Sequence, residues 1–287
     1  MRIDLQLHST YSDGFLTPTE LVQFIAKHNI KIASLTDHNT VGGWEEFRAE
    51  CAKYKIKAIP GIELYVKLGT YKINILWYNF DVNSPELHKI LRDSQIRRRA
   101  LVRRALNKLI QKGFKINANN ILDKYTHYTP INYVIQDIIA IPYNRNKVAR
   151  ELKNKNFRED QVIRHYFYNS QICKLSESYI KLKCVLTMRK KIGGQIIFNH
   201  PGKHNKLKKN ILIGLKKNKI DGIEMLSPHH SIGAVMYIQH IAQEMDWITT
   251  GGSDFHCHEG GRNDLQNSLE YFKIYSRYLR KIDKIIG

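Results

Sequence analysis

Asp4-Leu5-Gln6-Leu7-His8-Ser9-Thr10-Tyr11-Ser12-Asp13-Gly14 reads as a short apolar strand that runs into a polar turn. Successive strand side chains alternate faces, so Gln6 and His8 point the same way, and Asp13 follows in the loop past the strand end. The design recurs at Ala33-Ser34-Leu35-Thr36-Asp37-His38-Asn39 and again at Thr250-Gly251-Gly252-Ser253-Asp254-Phe255-His256. Side chains suited to metal ions thus recur where apolar strands end.

Outward from these strands the chain alternates strand and helix. Thr17-Pro18-Thr19-Glu20 carries a helix start, with Thr17 as N-cap, Pro18 in the first turn and Glu20 three residues on; the helix runs to about His28. A strand over Lys31–Thr36 leads to a helix from about Val41 to Tyr54. Strands follow over Ala58–Val66, with Glu63 near the middle, and over Tyr71–Phe80, with Asn74 inside. Pro85 to Gly113 has the apolar spacing of one long basic helix. From Phe114 to Glu177 the alternation lapses into short helices (131–139, 145–154, 159–168), read as a small helical insertion covering the mouth of a barrel. It resumes with a helix to Ile192, strand Gln195–Phe198, Asn199-His200-Pro201-Gly202, a helix around 206–218, strand Gly222–Leu226, a helix around 231–245, strand Trp247–Gly251 and a closing helix over about 269–285. Repeated strand–helix units predict an α/β fold with a mostly parallel sheet. Active groups at strand C-termini follow barrel logic. The expected division is residues 1–113 and 178–287 for the barrel and 114–177 for the insertion.

The 287 residues carry 46 Lys and Arg against 26 Asp and Glu, a formal charge of +20. Such a surplus draws a chain toward polyanions such as RNA, but Lys is spread through every kind of segment, so compositional drift explains it equally well. No run approaches the ~18 apolar residues of a membrane span, and an apolar leader is missing from the first residues; a cytoplasmic chain is expected. Cys51, Cys173, Cys184 and Cys257 are scattered without a CxxC pair and read as reduced, mostly core thiols. Nothing in the sequence marks an obligate protein partner.

Taken together, His8, Asp13, His38, Glu63, His200, Asp254 and His256 form a set of imidazoles and carboxylates at several strand ends, the ligand types of Mn, Fe or Zn. Asp4–Ser9 with Ser12-Asp13-Gly14, Leu35-Thr36-Asp37-His38, Gly61-Ile62-Glu63, Asn199–Gly202 and Gly252–His256 resemble the motifs of the PHP (polymerase and histidinol phosphatase) superfamily. More narrowly, the chain is similar to bacterial nucleoside 3′,5′-bisphosphate phosphatases that also act as 5′→3′ exoribonucleases, through Arg145–Arg150 and Glu259-Gly260-Gly261-Arg262 as well. The resemblance implies a distorted (β/α)7 TIM-like barrel with a small helical insertion domain and up to three divalent ions, usually Mn2+. One ion would take the position of Gln6 with His8, Glu63 and Asp254. A second would share Glu63 and take His200 with the position of Asn74. The third would take Asp13, His38 and His256. Such clustered dications polarise a phosphate and generate a metal-bound hydroxide from water, so no covalent nucleophile is needed.

Gln6 and Asn74 depart from the pattern, because each stands where the resembling enzymes have His; an amide oxygen is the weaker ligand. In those enzymes arginines of the long helix and of the Arg145 stretch hold substrate phosphates. Guanidinium pairs phosphate bidentately, which makes Arg99 and Arg145 candidates here, with Arg98 beside them and Lys147 as a point charge. The resemblance implies a metal-dependent phosphoesterase that removes the 3′-phosphate of nucleoside 3′,5′-bisphosphates or releases 5′-mononucleotides from short RNA. Two alternatives stay open: a histidinol-phosphate-type phosphatase, and a catalytically decayed PHP scaffold that binds RNA. His229 and His230 follow the Glu224 strand and fit either the mouth or an exposed loop.

Overall fold

Strands that carry apolar residues on both faces belong inside a covered sheet, and all five residues of β1 (Ile3–Leu7) are buried, Asp4 and Gln6 included. A computed structural model describes residues 1–203, 206–256 and 268–287. In chain order β1 is followed by α1 (Pro18–Lys27), β2 (Ile32–Leu35), α2 (Trp44–Lys53), β3 (Lys57–Ala58), β4 (Gly61–Leu68), β5 (Tyr71–Tyr78) and α3 (Pro85–Gln111). Next come α4 (Ala118–Leu122), α5 (Ile131–Ile139), α6 (Pro142–Glu151) and α7 (Glu159–Val162). The last stretch holds β6 (Ile180–Lys181), α8 (Leu182–Ile192), β7 (Gln195–Phe198), α9 (Lys209–Lys217), β8 (Gly222–Leu226), α10 (Ile232–Glu244), β9 (Ile248–Gly251), α11 (Ser268–Tyr271) and α12 (Asp283–Ile286). Two compact units result: Met1–Leu91 with Tyr179–Gly287, and Arg92–Ser178.

The first unit is α/β. β1, β2 and β3 form a parallel sheet, and β6-β4-β5-β7-β8-β9 a second, mixed one. Leu7 bridges Phe255 just after β9, and His38 just after β2 bridges Glu63 in β4, both in parallel sense. β5 is antiparallel to β4 and to β7, against the mostly parallel pattern the sequence suggests. The cause is the tight turn after Leu68, where Gly69 takes φ +59, so β4 and β5 form a hairpin instead of the helical crossover a parallel pair requires. α1 starts as its sequence predicts: the Glu20 N–H donates to Thr17 Oγ1 (3.2 Å), and the Thr17 N–H donates to Glu20 Oε2 (2.9 Å). Such a cap stabilises a helix by about 1 kcal/mol.

Three expectations change. The strand over Ala58–Val66 is broken into β3 and β4, with Pro60, which has no N–H to give a ladder, between them. The closing helix over 269–285 is replaced by α11, a 3-10 turn at Ser276–Tyr278 and α12. Its middle is extended, because the Ile3 N–H donates to Ile274 O (3.0 Å) and Arg2 bridges Tyr275. The compact second unit begins at Arg92, ahead of the expected 114. The distal part of α3 brings Val102, Leu106 and Leu109 into one core with Phe114, Ile121, Val134, Ile138, Val148 and Tyr166. In that unit α7 runs on as a π-helical turn over Ile163–Phe167. Cys51 and Cys173 are buried, and burial pushes their thiols up to about 12 and about 11; Cys184 is exposed. His204, Cys257, His258 and Glu259–Arg262 lie outside the described residues. No helix among the described residues is long and apolar enough to cross a membrane.

Candidate metal centre

β1 places Gln6 and, one step past its end, His8 at the centre of the first unit, both fully buried. The loop that follows is held by Asp37, whose carboxylate accepts hydrogen bonds from the Ser9 N–H (2.7 Å), the Ser9 hydroxyl (2.6 Å) and the Ser12 hydroxyl (2.6 Å). The chain turns so closely there that a Cβ on Gly14 would lie 2.2 Å from His8 O. This fold-back brings Asp13 Oδ1 to 3.7 Å from His8 Nδ1 and 3.3 Å from His256 Nε2, and Asp13 Oδ2 to 3.7 Å from His38 Nε2. After β9 the turn docks on β1: Asp4 Oδ1 accepts the Ser253 N–H (3.0 Å) and the Gln6 N–H (3.2 Å), and burial pushes the Asp4 carboxyl up to about 6. A Cβ on Gly252 would collide with Gln6 at 2.3 Å.

All seven expected ligands, together with Gln6 and Asn74, meet in this one place. His8 Nε2 lies 3.3 Å from Glu63 Oε2 and 3.2 Å from Asp254 Oδ1. His200 Nε2 lies 3.2 Å from Glu63 Oε1. The Asn74 amide donates to the same oxygen at 2.6 Å, and the Gln6 amide donates to Glu63 Oε2 (3.1 Å) and Asp254 Oδ1 (2.9 Å). Two ligand sets emerge, His8–Asp13–His38–His256 and His8–Glu63–Asp254, each with its donor atoms within 4.8 Å of one another. His8 therefore faces both carboxylate groups, where the sequence assigns it to Glu63 and Asp254 alone. A divalent ion fits this donor set chemically. Both ring nitrogens of His8 and Nδ1 of His200 are buried without a well-aligned hydrogen bond, whereas His256 Nδ1 contacts Asp254 O at 2.6 Å. A carbonyl contact of that kind fixes the tautomer and leaves Nε2 available to an ion.

The electrostatics favour a cation. Burial raises the affinity of Glu63 for a proton, yet the charge of His38 and the hydrogen bonds of His200 and His8 hold its carboxyl well below the ordinary range. Asp254 is likewise held well below, because Lys203 and His256 outweigh its burial. Asp13 is depressed by His256 and His38 against the same penalty. His8 rises well above its usual value: burial opposes the charge, and the bonds to Asp254 and Glu63 win. At His200 burial dominates and lowers the imidazole to about 4. Three ionised carboxylates and a neutral His200 are the forms that bind metals.

Three further neighbours stand at the centre, of which the sequence reading left His229 open and gave Lys203 and Glu224 no role. His229 Nε2 lies 2.6 Å from Asp254 Oδ2, and Lys203 Nζ lies 3.5 Å from that oxygen and 3.4 Å from His229 Nε2. Between the exposed-loop and mouth readings of His229, the structure places it in the mouth. Lys203 could have been noticed from its place directly after Asn199-His200-Pro201-Gly202; His229 was raised by its place after the β8 strand. Glu224, fully buried in β8, accepts the His200 N–H at 3.0 Å, and burial pushes its carboxyl well up. That bond steadies His200 in the left-handed region at φ 22, which residues other than Gly seldom adopt.

The expected phosphate-binding cations belong to the second unit. Arg98 is 1% exposed; its guanidinium donates to Thr129 O and Ser176 O (3.2 Å each) and pairs with Glu177 at 3.0 Å. Arg99 donates to Leu122 O and pairs with Asp123 at 2.5 Å. Lys147 pairs with Glu151 at 2.8 Å. Arg145 is exposed, with its guanidinium over the Phe157 ring at 5.8 Å.

The sequence profile of the PHP domain matches residues 4–175. The chain is 27% identical over 270 residues to a 3′,5′-nucleoside bisphosphate phosphatase of Chromobacterium violaceum, covering 91% of this chain and 90% of that one. It is 25% identical over 276 residues to a 5′-3′ exoribonuclease of Haemophilus influenzae, covering 93% and 96%. Among solved structures it superposes with a TM-score of 0.76 on a protein of Bifidobacterium adolescentis described as a metal-dependent phosphoesterase, at 20% identity and with 99% and 94% covered.

Proposed function

The chain belongs to the PHP domain family, and from that premise we propose that it is a metal-dependent phosphoesterase acting on nucleotide phosphates. It removes the 3′-phosphate of nucleoside 3′,5′-bisphosphates and releases 5′-mononucleotides from the 5′ end of short RNA. The observation that carries the reading is the convergence of Asp13, Glu63 and Asp254 with His8, His38, His200 and His256 in one buried centre. The substrate class follows from the relatives, whose names specify nucleoside bisphosphates and RNA. In the same reading the ion is Mn2+. The two sheets make one distorted TIM-like barrel, a closure supported by the Leu7–Phe255 and His38–Glu63 bridges.

A divalent ion, when bound, supplies Lewis acidity toward phosphoryl oxygens and acidifies water near neutral pH. Asp13, His38, His256 and His8 hold it, and Asp37 keeps the Asp13 loop folded back on them. Burial of the centre strengthens every charge interaction there. Arg145, exposed on α6, remains the candidate cation for a substrate phosphate, with Lys147 on the same helix. Purified protein supplied with Mn2+ is expected to liberate phosphate from adenosine 3′,5′-bisphosphate and mononucleotides from a 5′-phosphorylated oligoribonucleotide. Turnover no greater than that of Asp254→Asn on both substrates sinks the reading.

A further inference from the structure

Around Asp13 stand three imidazole nitrogens, His8 Nδ1, His38 Nε2 and His256 Nε2, with the Ser12 hydroxyl donating to Oδ1 at 3.3 Å. Around Glu63 and Asp254 the protein itself already faces every carboxylate oxygen with nitrogen. Glu63 Oε1 meets the Asn74 amide (2.6 Å) and His200 Nε2 (3.2 Å); Glu63 Oε2 meets the Gln6 amide (3.1 Å). Asp254 Oδ1 meets the Gln6 amide (2.9 Å); Oδ2 meets His229 Nε2 (2.6 Å) and Lys203 Nζ (3.5 Å).

Beside these imidazoles, the Lys203 ammonium and the Gln6 and Asn74 amides differ in kind from ligands. An ammonium has three N–H groups and no lone pair to give a metal. An amide can ligate only through its oxygen, and turning Gln6 over would aim that oxygen at two carboxylates. Two buried carboxylates this close require compensating positive charge or N–H donors to stay ionised. In this chain the compensation is covalently attached. It includes both positions, Gln6 and Asn74, at which the sequence departs from histidine.

We propose, resting on the phosphoesterase reading above, that this protein holds one divalent ion tightly, in the His8–Asp13–His38–His256 pocket. Lys203, with the Gln6 and Asn74 amides, supplies on the Glu63–Asp254 side what further ions would otherwise supply. The centre is then a mixed one, a metal ion beside a lysine ammonium, and both positive groups are available to a phosphoryl group. Fixed N–H donors aimed at developing phosphate charge serve the same electrostatic purpose as a second ion.

The test is a count. The full chain, loaded with excess Mn2+ and desalted, is measured by native mass spectrometry and by elemental analysis. One ion per chain is expected, lost in Asp13→Asn and kept in Asn74→Ala. The double variant Gln6→His with Asn74→His is expected to stay near one ion, and adding Lys203→Met to it to reach two or more. Two or more tight ions in the unaltered protein, or one ion that survives Asp13→Asn and is lost in Asp254→Asn, overturns the proposal. The count needs no substrate. Turnover with three ions therefore rejects this inference and leaves the phosphoesterase reading intact, whereas one ion without turnover does the reverse.

Discussion

Buried polar side chains occur in both units, and they are satisfied in opposite ways. In the second unit Arg98 and Asn144 bond chiefly to backbone. Arg98 donates to Thr129 O and Ser176 O; Asn144 donates to Ile138 O (3.1 Å) and Lys115 O (2.9 Å) and accepts the Lys115 N–H (2.8 Å). In the first unit Gln6, His8, Glu63, His200 and Asp254 face chiefly one another. Side chains that close the backbone's open hydrogen bonds act as internal struts. Ionisable side chains that crowd one another gain little stability by doing so, and such crowding marks a working site. The same residue type therefore means different things in the two places.

Substitutions can break this contrast. The largest effect is expected at Asp13→Asn, where phosphate release should fall by roughly 10³-fold or more, a loss of about 4 kcal/mol in transition-state stabilisation, with the circular dichroism of the folded chain retained. Next comes Arg98→Leu, which strands Glu177 and two carbonyls. It should lower stability by about 3 kcal/mol, read by denaturant titration, with turnover per folded molecule within twofold of the parent. Loss of turnover without loss of stability would move Arg98 from the struts to the site. Asn144→Ala should cost about 2 kcal/mol on the same titration and leave metal content unchanged. The smallest effect is expected at Arg145→Ala: about a fivefold rise in KM for an oligoribonucleotide, near 1 kcal/mol, shrinking as salt is raised. An unchanged KM would remove Arg145 from RNA contact.

The clustering of His8, His38, Glu63 and Asp254 was legible because strand alternation and a few local motifs place them without any tertiary knowledge. What stayed hidden depended on partners far along the chain. The roles of Arg98 and Arg99 could not be read from the Arg97-Arg98-Arg99 run, since burial of one against Thr129 and Ser176 and pairing of the other with Asp123 are set by how the second unit packs. The broken closing helix was hidden likewise, because its residues give up helical pairing to bond with Arg2 and Ile3. The β4–β5 hairpin was partly visible in Gly69, but a strand pair alone does not say whether its next neighbour runs parallel.

Gln6 reaches Asp254 across 248 residues of chain, and Asp4 holds the Ser253 N–H across 249. Long-range closure of this kind is slow and comes late in folding. At a ribosomal pace of about 5–20 residues per second, β1 waits about 10–50 s for the strand that completes its surroundings. Until then His8 lacks Asp254, which follows β9, and an unfinished chain cannot assemble the full centre.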